Sequence, residues 1–231
     1  MNSISTFIKN EFSGFSKNEK IVAAVLLLSV FGISVYMKDS KIATAQALFS
    51  LSYSVMAGKG KISCYFFGVL GTLCYSFLSF KNAIYGAVML QMGYFLPMEI
   101  IGIFMWKKRM NEVKHEIIKT KLTNKERIYF SFLIILMSLI LAVFLNHIGD
   151  KFPYMDSFST VFSVAAMYMT VRRCIEQWVL WTGVNVLSAI MWLMIFSSGV
   201  HTFATFLTWS IHLFLGLYFL FTWYKELKNQ A

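Results

Sequence analysis

Apolar residues in this chain run in stretches about as long as a bilayer is thick, each closed by a short polar segment. A spanning helix needs about 20 mostly apolar residues. Eight stretches meet or approach that length: 21–37, 42–57, 62–80, 84–106, 128–146, 156–171, 178–198 and 203–223, the second and sixth being short. The pattern predicts an all-α polytopic membrane protein with eight transmembrane helices. Ala43-Thr44-Ala45 offers the small residues of a cleavage site. The first stretch is nevertheless read as a helix, because the largely polar segment before it is long for the n-region of a signal peptide.

Composition sharpens this picture. Of 231 residues, 58% are hydrophobic and 14% are charged, and the mean hydropathy is +0.63. A soluble domain is roughly half apolar and a quarter charged. This chain has too few charges to solvate a surface, which excludes a soluble enzyme, a disordered chain and a nucleic-acid-binding domain. Aromatic side chains make up 17% of the residues. The three cysteines, Cys64, Cys74 and Cys174, form neither a disulfide framework nor a metal-ligand spacing.

The basic residues give an orientation, since cytoplasmic loops carry the Lys and Arg excess. With the N-terminus inside, 17 of the 21 Lys and Arg fall on inner segments and four on outer loops (Lys38, Lys41, Lys81 and Lys151). No Lys or Arg lies within a predicted span. Both termini are therefore expected in the cytoplasm. The net charge of +10 is a topology charge that meets anionic lipid. No nucleic-acid partner is expected.

Two helices carry the same spacing. The third has Tyr65, Gly68, Thr72, Tyr75 and Ser79; the seventh has Trp178, Trp181, Asn185, Ser188 and Trp192. Each set lies on one helical face, with mostly aliphatic and aromatic residues elsewhere. Small and polar residues on such a face can serve helix packing, and that reading fits Gly68, Gly71 and Ser79. The bulky π surface around Asn185 favours ligand binding, because an amide in hydrocarbon is costly without a partner. Packing remains the alternative for Trp181 and Asn185.

The stretch 59–107 resembles the PnuC-type vitamin transporters of bacteria. The matching features are Gly-Lys-Ile-Ser at 60–63, Tyr-Phe-Phe-Gly at Tyr65–Gly68, Tyr85-Gly86, Leu90-Gln91, and Gly102 followed by Trp106. Glu-Gln-Trp-Val-Leu-Trp-Thr-Gly-Val-Asn-Val-Leu-Ser at Glu176–Ser188 carries the resemblance into the second half, and the resemblance as a whole covers roughly 42–223. It implies a 3+1+3 core with internal inverted repeats, an extra N-terminal helix and a homotrimer. The domain boundaries are then 1–41, 42–106, 107–146, 156–224 and 225–231. It also implies a cargo of nicotinamide riboside, with thiamine or another ring-bearing vitamin as the alternative. Trp178, Trp181, Asn185 and Gln91 would line the site. Thr72, Tyr75 and Ser188, from the two stripes, and Tyr94, on the face of Gln91, complete the candidate lining. Glu99 departs from the family pattern.

Nicotinamide riboside presents a cationic ring, a carboxamide and ribose hydroxyls. Indole faces attract a desolvated cation by about 2 kcal/mol. Asn185 and Gln91 each offer a donor and an acceptor, although Gln91 also suits an interhelical hydrogen bond. Glu99 has three open readings: a counter-charge for the ring, a rim residue paired with a loop cation, or part of a hinge with Pro97. His212 is the lone histidine of the eighth helix. With no proton-relay chain in the spans, the expectation is facilitated diffusion without a cofactor. A cytosolic riboside kinase would trap the cargo. The rivals are a membrane enzyme and a structural subunit. His115-Glu116 begins a zinc-protease run, but position 119 is Lys.

Overall fold

The computed structural model describes residues 6, 9–81, 85–111, 115–150, 152–197 and 203–229. Positions 84 and 198, which bound two predicted spans, lie outside them, as do the loop cations Lys114 and Lys151 and the side chains of Tyr85 and Gly86. The helices are α1 (Lys17–Tyr36), α2 (Lys41–Gly58), α3 (Cys64–Lys81), α4 (Tyr85–Leu90), α5 (Leu96–Lys107), α6 (Asn124–His147), α7 (Pro153–Val171), α8 (Glu176–Ser197) and α9 (Phe203–Asn229). Six helical segments among the described residues are long and apolar enough to cross a membrane. α2 and α7 fall outside that set; Gln46, Ser50, Ser52 and Ser54 dilute the first, and Asp156, Ser157, Ser159, Thr160 and Ser163 the second.

The chain divides into two compact units, Met1–Ile118 and Lys119–Ala231. In the first, α1 packs on α2, α2 on α3, and α3 on the α4–α5 segment. In the second, α6 packs on α7, α7 on α8, and α8 on α9. The entry to each unit is built alike. Ser16 caps α1 and Thr123 caps α6, each in a capping box closed by the Glu three residues on. Each of those glutamates also reaches the cation at the end of the next helix. Glu19 pairs with Lys59 at 3.1 Å, and Glu126 with Arg172 at 3.3 Å. Positive φ at Gly60 (67°) and at Arg173 (63°) then turns the chain into α3 and α8.

The predicted helix 84–106 is interrupted by a π turn at Gln91–Phe95, between α4 and α5. Its cause is Pro97, which has no N–H to donate and whose ring crowds the carbonyl four residues back, at Gly93. Backbone angles at Leu90 and Leu96 stay helical, so the segment continues as one rod with a widened turn.

The basic loop departs from the all-α expectation. Met110–Asn111 (β1) and Glu116–Ile117 (β2) form a two-stranded antiparallel ladder. The loop is anchored rather than solvated. Ile117 N donates to Gly60 O at 3.0 Å in the first unit, and Thr120 N donates to Arg173 O at 2.9 Å in the second. Lys61 is buried; its Nζ donates to His115 O at 3.1 Å and lies 3.6 Å from Glu116. Burial lowers the Lys61 pKa, against the opposing pull of Glu116 and Glu11.

Candidate functional site

In the first unit, Tyr65 is fully buried with its ring edge-on to Trp106 at 5.0 Å and 80°. Gly102 makes room for it, since a Cβ there would run into the Tyr65 ring. Gly102→Ala is therefore expected to lower stability by about 1–2 kcal/mol through overpacking. Thermal unfolding of detergent-purified protein checks this, with Gly32→Ala as a neutral control, because its Cβ would meet open space.

Two turns along α3, Thr72 donates from Oγ1 to Glu99 Oε1 at 2.9 Å. Glu99 is buried, and its Oε2 has no hydrogen-bond partner among the described residues. Gly68 lies alongside: a Cβ there would stand 2.9 Å from Glu99 Oε1 and 3.1 Å from Tyr53. This overturns the rim reading of Glu99, because its carboxylate meets Thr72 rather than a loop cation.

The other expected site residues of this unit are dispersed. Tyr75 is 40% exposed although it shares the stripe of Thr72. Gln91 and Tyr94 are half-buried in the π turn, with Tyr94 edge-on to Phe95 at 5.4 Å. That turn also breaks the expectation that Gln91, Tyr94 and Gly102 share a face. The expectation assumed an unbroken α period, and a π turn carries one extra residue.

In the second unit, Trp178, Trp181, Asn185 and Ser188 all lie on α8. Trp178 is buried against Phe219 (5.2 Å) and Trp223 (5.8 Å, 74°). Trp181 is half-buried, and its Nε1 donates to Thr170 Oγ1 at 3.2 Å. Asn185 and Ser188 are buried. A Cβ at Gly216 would stand 3.0 Å from Thr182 Oγ1 and 3.5 Å from Asn185 Nδ2, so the glycine lets α9 pack closely against this face of α8. Thr182 Oγ1 is buried and has no hydrogen-bond partner among the described residues.

Trp178 stands 113 residues after Tyr65, and Asn185 the same distance after Thr72. The edge-on pair Tyr65–Trp106 of the first unit has its counterpart in Trp178–Trp223 of the second. The shared offsets read from sequence thus coincide with shared packing. Where Thr72 meets Glu99, Asn185 meets the close approach of α9 at Gly216. Sequence reasoning missed Thr170, Thr182 and Gly216. The first two lie off the stripe, and Gly216 lies on another helix. His212 Nδ1 lies 2.9 Å from Thr208 O, within its own helix.

Membrane-length helices with polar groups buried along single faces define an integral membrane protein of the transporter class. A model of the nicotinamide mononucleotide transporter family matches residues 40–225, and the chain belongs to that family. It is similar to the nicotinamide riboside transporter PnuC of Neisseria mucosa, at 29% identity over 99% of this chain and 89% of that one. It is likewise 29% identical to the nicotinamide riboside transporter PnuC of Haemophilus influenzae, over 96% of each chain. A crystal structure of the vitamin B3 transporter PnuC matches with a TM-score of 0.83 at 27% identity, over 98% of this chain and 99% of that one.

Proposed function

We propose that this protein carries nicotinamide riboside across a bacterial inner membrane by facilitated diffusion, and is not an enzyme. The observation that carries the reading is the α8 face. There an oriented indole, Trp181, and a buried amide, Asn185, stand about one turn apart on α8. An indole suits the cationic ring, and an amide that can both donate and accept suits a carboxamide or diol. The relatives named for nicotinamide riboside transport support the same cargo. Trp178, Ser188, Thr72, Tyr75, Gln91 and Tyr94 complete the proposed lining. A cytosolic riboside kinase would trap the cargo, and the assembly would be a homotrimer.

The proposed topology has eight crossings with both termini inside, so α2 and α7 also span. The domain limits are those of the 3+1+3 core: 1–41, 42–106, 107–146, 156–224 and 225–231. In this topology the repeats run parallel, where the resemblance implied an inverted arrangement. Four crossings separate the start of α2 from the start of α7, and an even number returns the chain to the same side. α1 becomes the counterpart of α6, with the matching clasps Glu19–Lys59 and Glu126–Arg172 as support.

Uptake of labelled nicotinamide riboside into proteoliposomes tests the reading. Equal uptake is expected with and without imposed proton or sodium gradients. Kinase and ATP inside should produce apparent accumulation. Gradient-dependent accumulation would refute the facilitator mechanism, and preferential uptake of thiamine would favour the other cargo.

A further inference from the structure

The second unit gathers one end of its four helices into a basic rim: the starts of α6 and α8 and the ends of α7 and α9. Thr120, Leu122 and Glu126 bond there to Arg173, Glu176 and Arg172, and Lys119 pairs with Glu226. Eight cations stand at that end (Lys119, Lys121, Lys125, Arg127, Arg172, Arg173, Lys225, Lys228) against three carboxylates. The opposite end carries Asp150 and Asp156. The rim encloses a cleft of about 480 Å³ whose lining includes Lys121, Asn124, Arg127, Tyr224, Leu227 and Lys228. Three of the eight cations are already paired. Lys119 pairs with Glu226, Arg172 with Glu126, and Arg127 with Glu176 at 2.7 Å. Lys121 and Lys228, on the cleft wall, make no ion pair among the described residues.

The surroundings fix the height of this cleft. Ile128, next to Arg127 on α6, is 73% exposed, and Tyr224 is 62% exposed with its ring on the cleft wall. An exposed isoleucine beside tyrosines and lysines marks the boundary between acyl chains and headgroups. A basic pocket at that level is built for an anionic headgroup.

We propose that this cleft is a binding site for a phosphate-bearing anion, held by Lys121 and Lys228 with the free edge of Arg127. The phosphate could come from a phospholipid headgroup or from a soluble phosphate on the same side. The inference rests on the chain being embedded in a bilayer and not on which vitamin it carries.

Thermal unfolding of the detergent-purified full chain, titrated with phosphatidylglycerol, phosphatidylcholine or inorganic phosphate, tests it. Phosphatidylglycerol should raise the unfolding temperature saturably, and phosphatidylcholine should not. Each lysine near the surface is worth about fivefold in binding an anionic headgroup. Lys121→Gln with Lys228→Gln should therefore weaken the apparent affinity roughly 20-fold. Lys125→Gln with Lys225→Gln removes the same charge outside the cleft and should change it less than about twofold. An equal shift from inorganic phosphate that is lost in the cleft double variant would assign the site to a soluble phosphate. If the cleft variant binds phosphatidylglycerol as the parent does, or if both double variants lose it equally, the proposal is wrong. Native mass spectrometry of retained lipid gives a second readout that does not depend on stability.

Discussion

Asn185→Leu is expected to weaken nicotinamide riboside binding by about 1–3 kcal/mol, roughly five- to 150-fold in the dissociation constant. Leucine fills nearly the same volume but cannot pair with the polar edge of the cargo, which would be desolvated without a partner. Asn185 is buried on α8, where a polar edge left unpaired cannot turn to water. Trp181→Ala should cost about 1–2 kcal/mol beyond its area, and Trp181→Phe less, since a phenyl face keeps part of the cation attraction. Thr170→Val tests the support behind it. The Thr170 hydroxyl accepts from Trp181 Nε1, and its loss should loosen the ring and weaken binding by a few tenths to 1 kcal/mol. Calorimetry on folded, detergent-purified variants measures all four. If these residues only pack helices, unfolding temperatures fall while the folded fraction binds as the parent does. Unchanged affinity in a stable Asn185→Leu variant removes Asn185 from the site.

The apolar stretches were legible because a bilayer imposes length and composition on every span. The length rule alone is blunt for α2 and α7, where serines, threonines, Gln46 and Asp156 lower the hydropathy. Two neighbours of these helices, α3 and α8, are the ones with the matched stripes. The stripe offsets were legible because helical period is a local property, and Tyr65–Trp106 and Trp178–Trp223 bear them out as packing. The π turn had only Pro97 as its signal, and a proline does not say whether a helix kinks or widens. The loop lysines were read as solvated topology charges. Lys61 and Lys119 are instead buried against Glu116 and Glu226, and Lys119 also lies 5.0 Å over Trp223. Such pairings depend on residues 55 and 107 positions away, which no local pattern encodes. Gly216 was invisible for the same reason. Its role comes from the close approach it permits to Thr182 and Asn185, residues of another helix.

The mononucleotide is expected to bind at least roughly 100-fold more weakly than the riboside, and nicotinamide to fall between them. The family name speaks of the mononucleotide and the curated relatives of the riboside, so the comparison decides which name describes this site. The two cargoes differ by one phosphate, close to a dianion at neutral pH. Taking it out of water requires a cation or several fixed donors in return. No Lys or Arg lies within the predicted spans, and α8 presents indoles, an amide and hydroxyls. Hydroxyls and amides hold a neutral ribose well but cannot offset a buried dianion. Under the proposed facilitator reading, the same exclusion would hold a cargo phosphorylated inside. Competition between labelled riboside and each unlabelled ligand on purified protein measures the order. Mononucleotide binding as tight as riboside binding would locate a cation in the site and remove the physical basis for trapping.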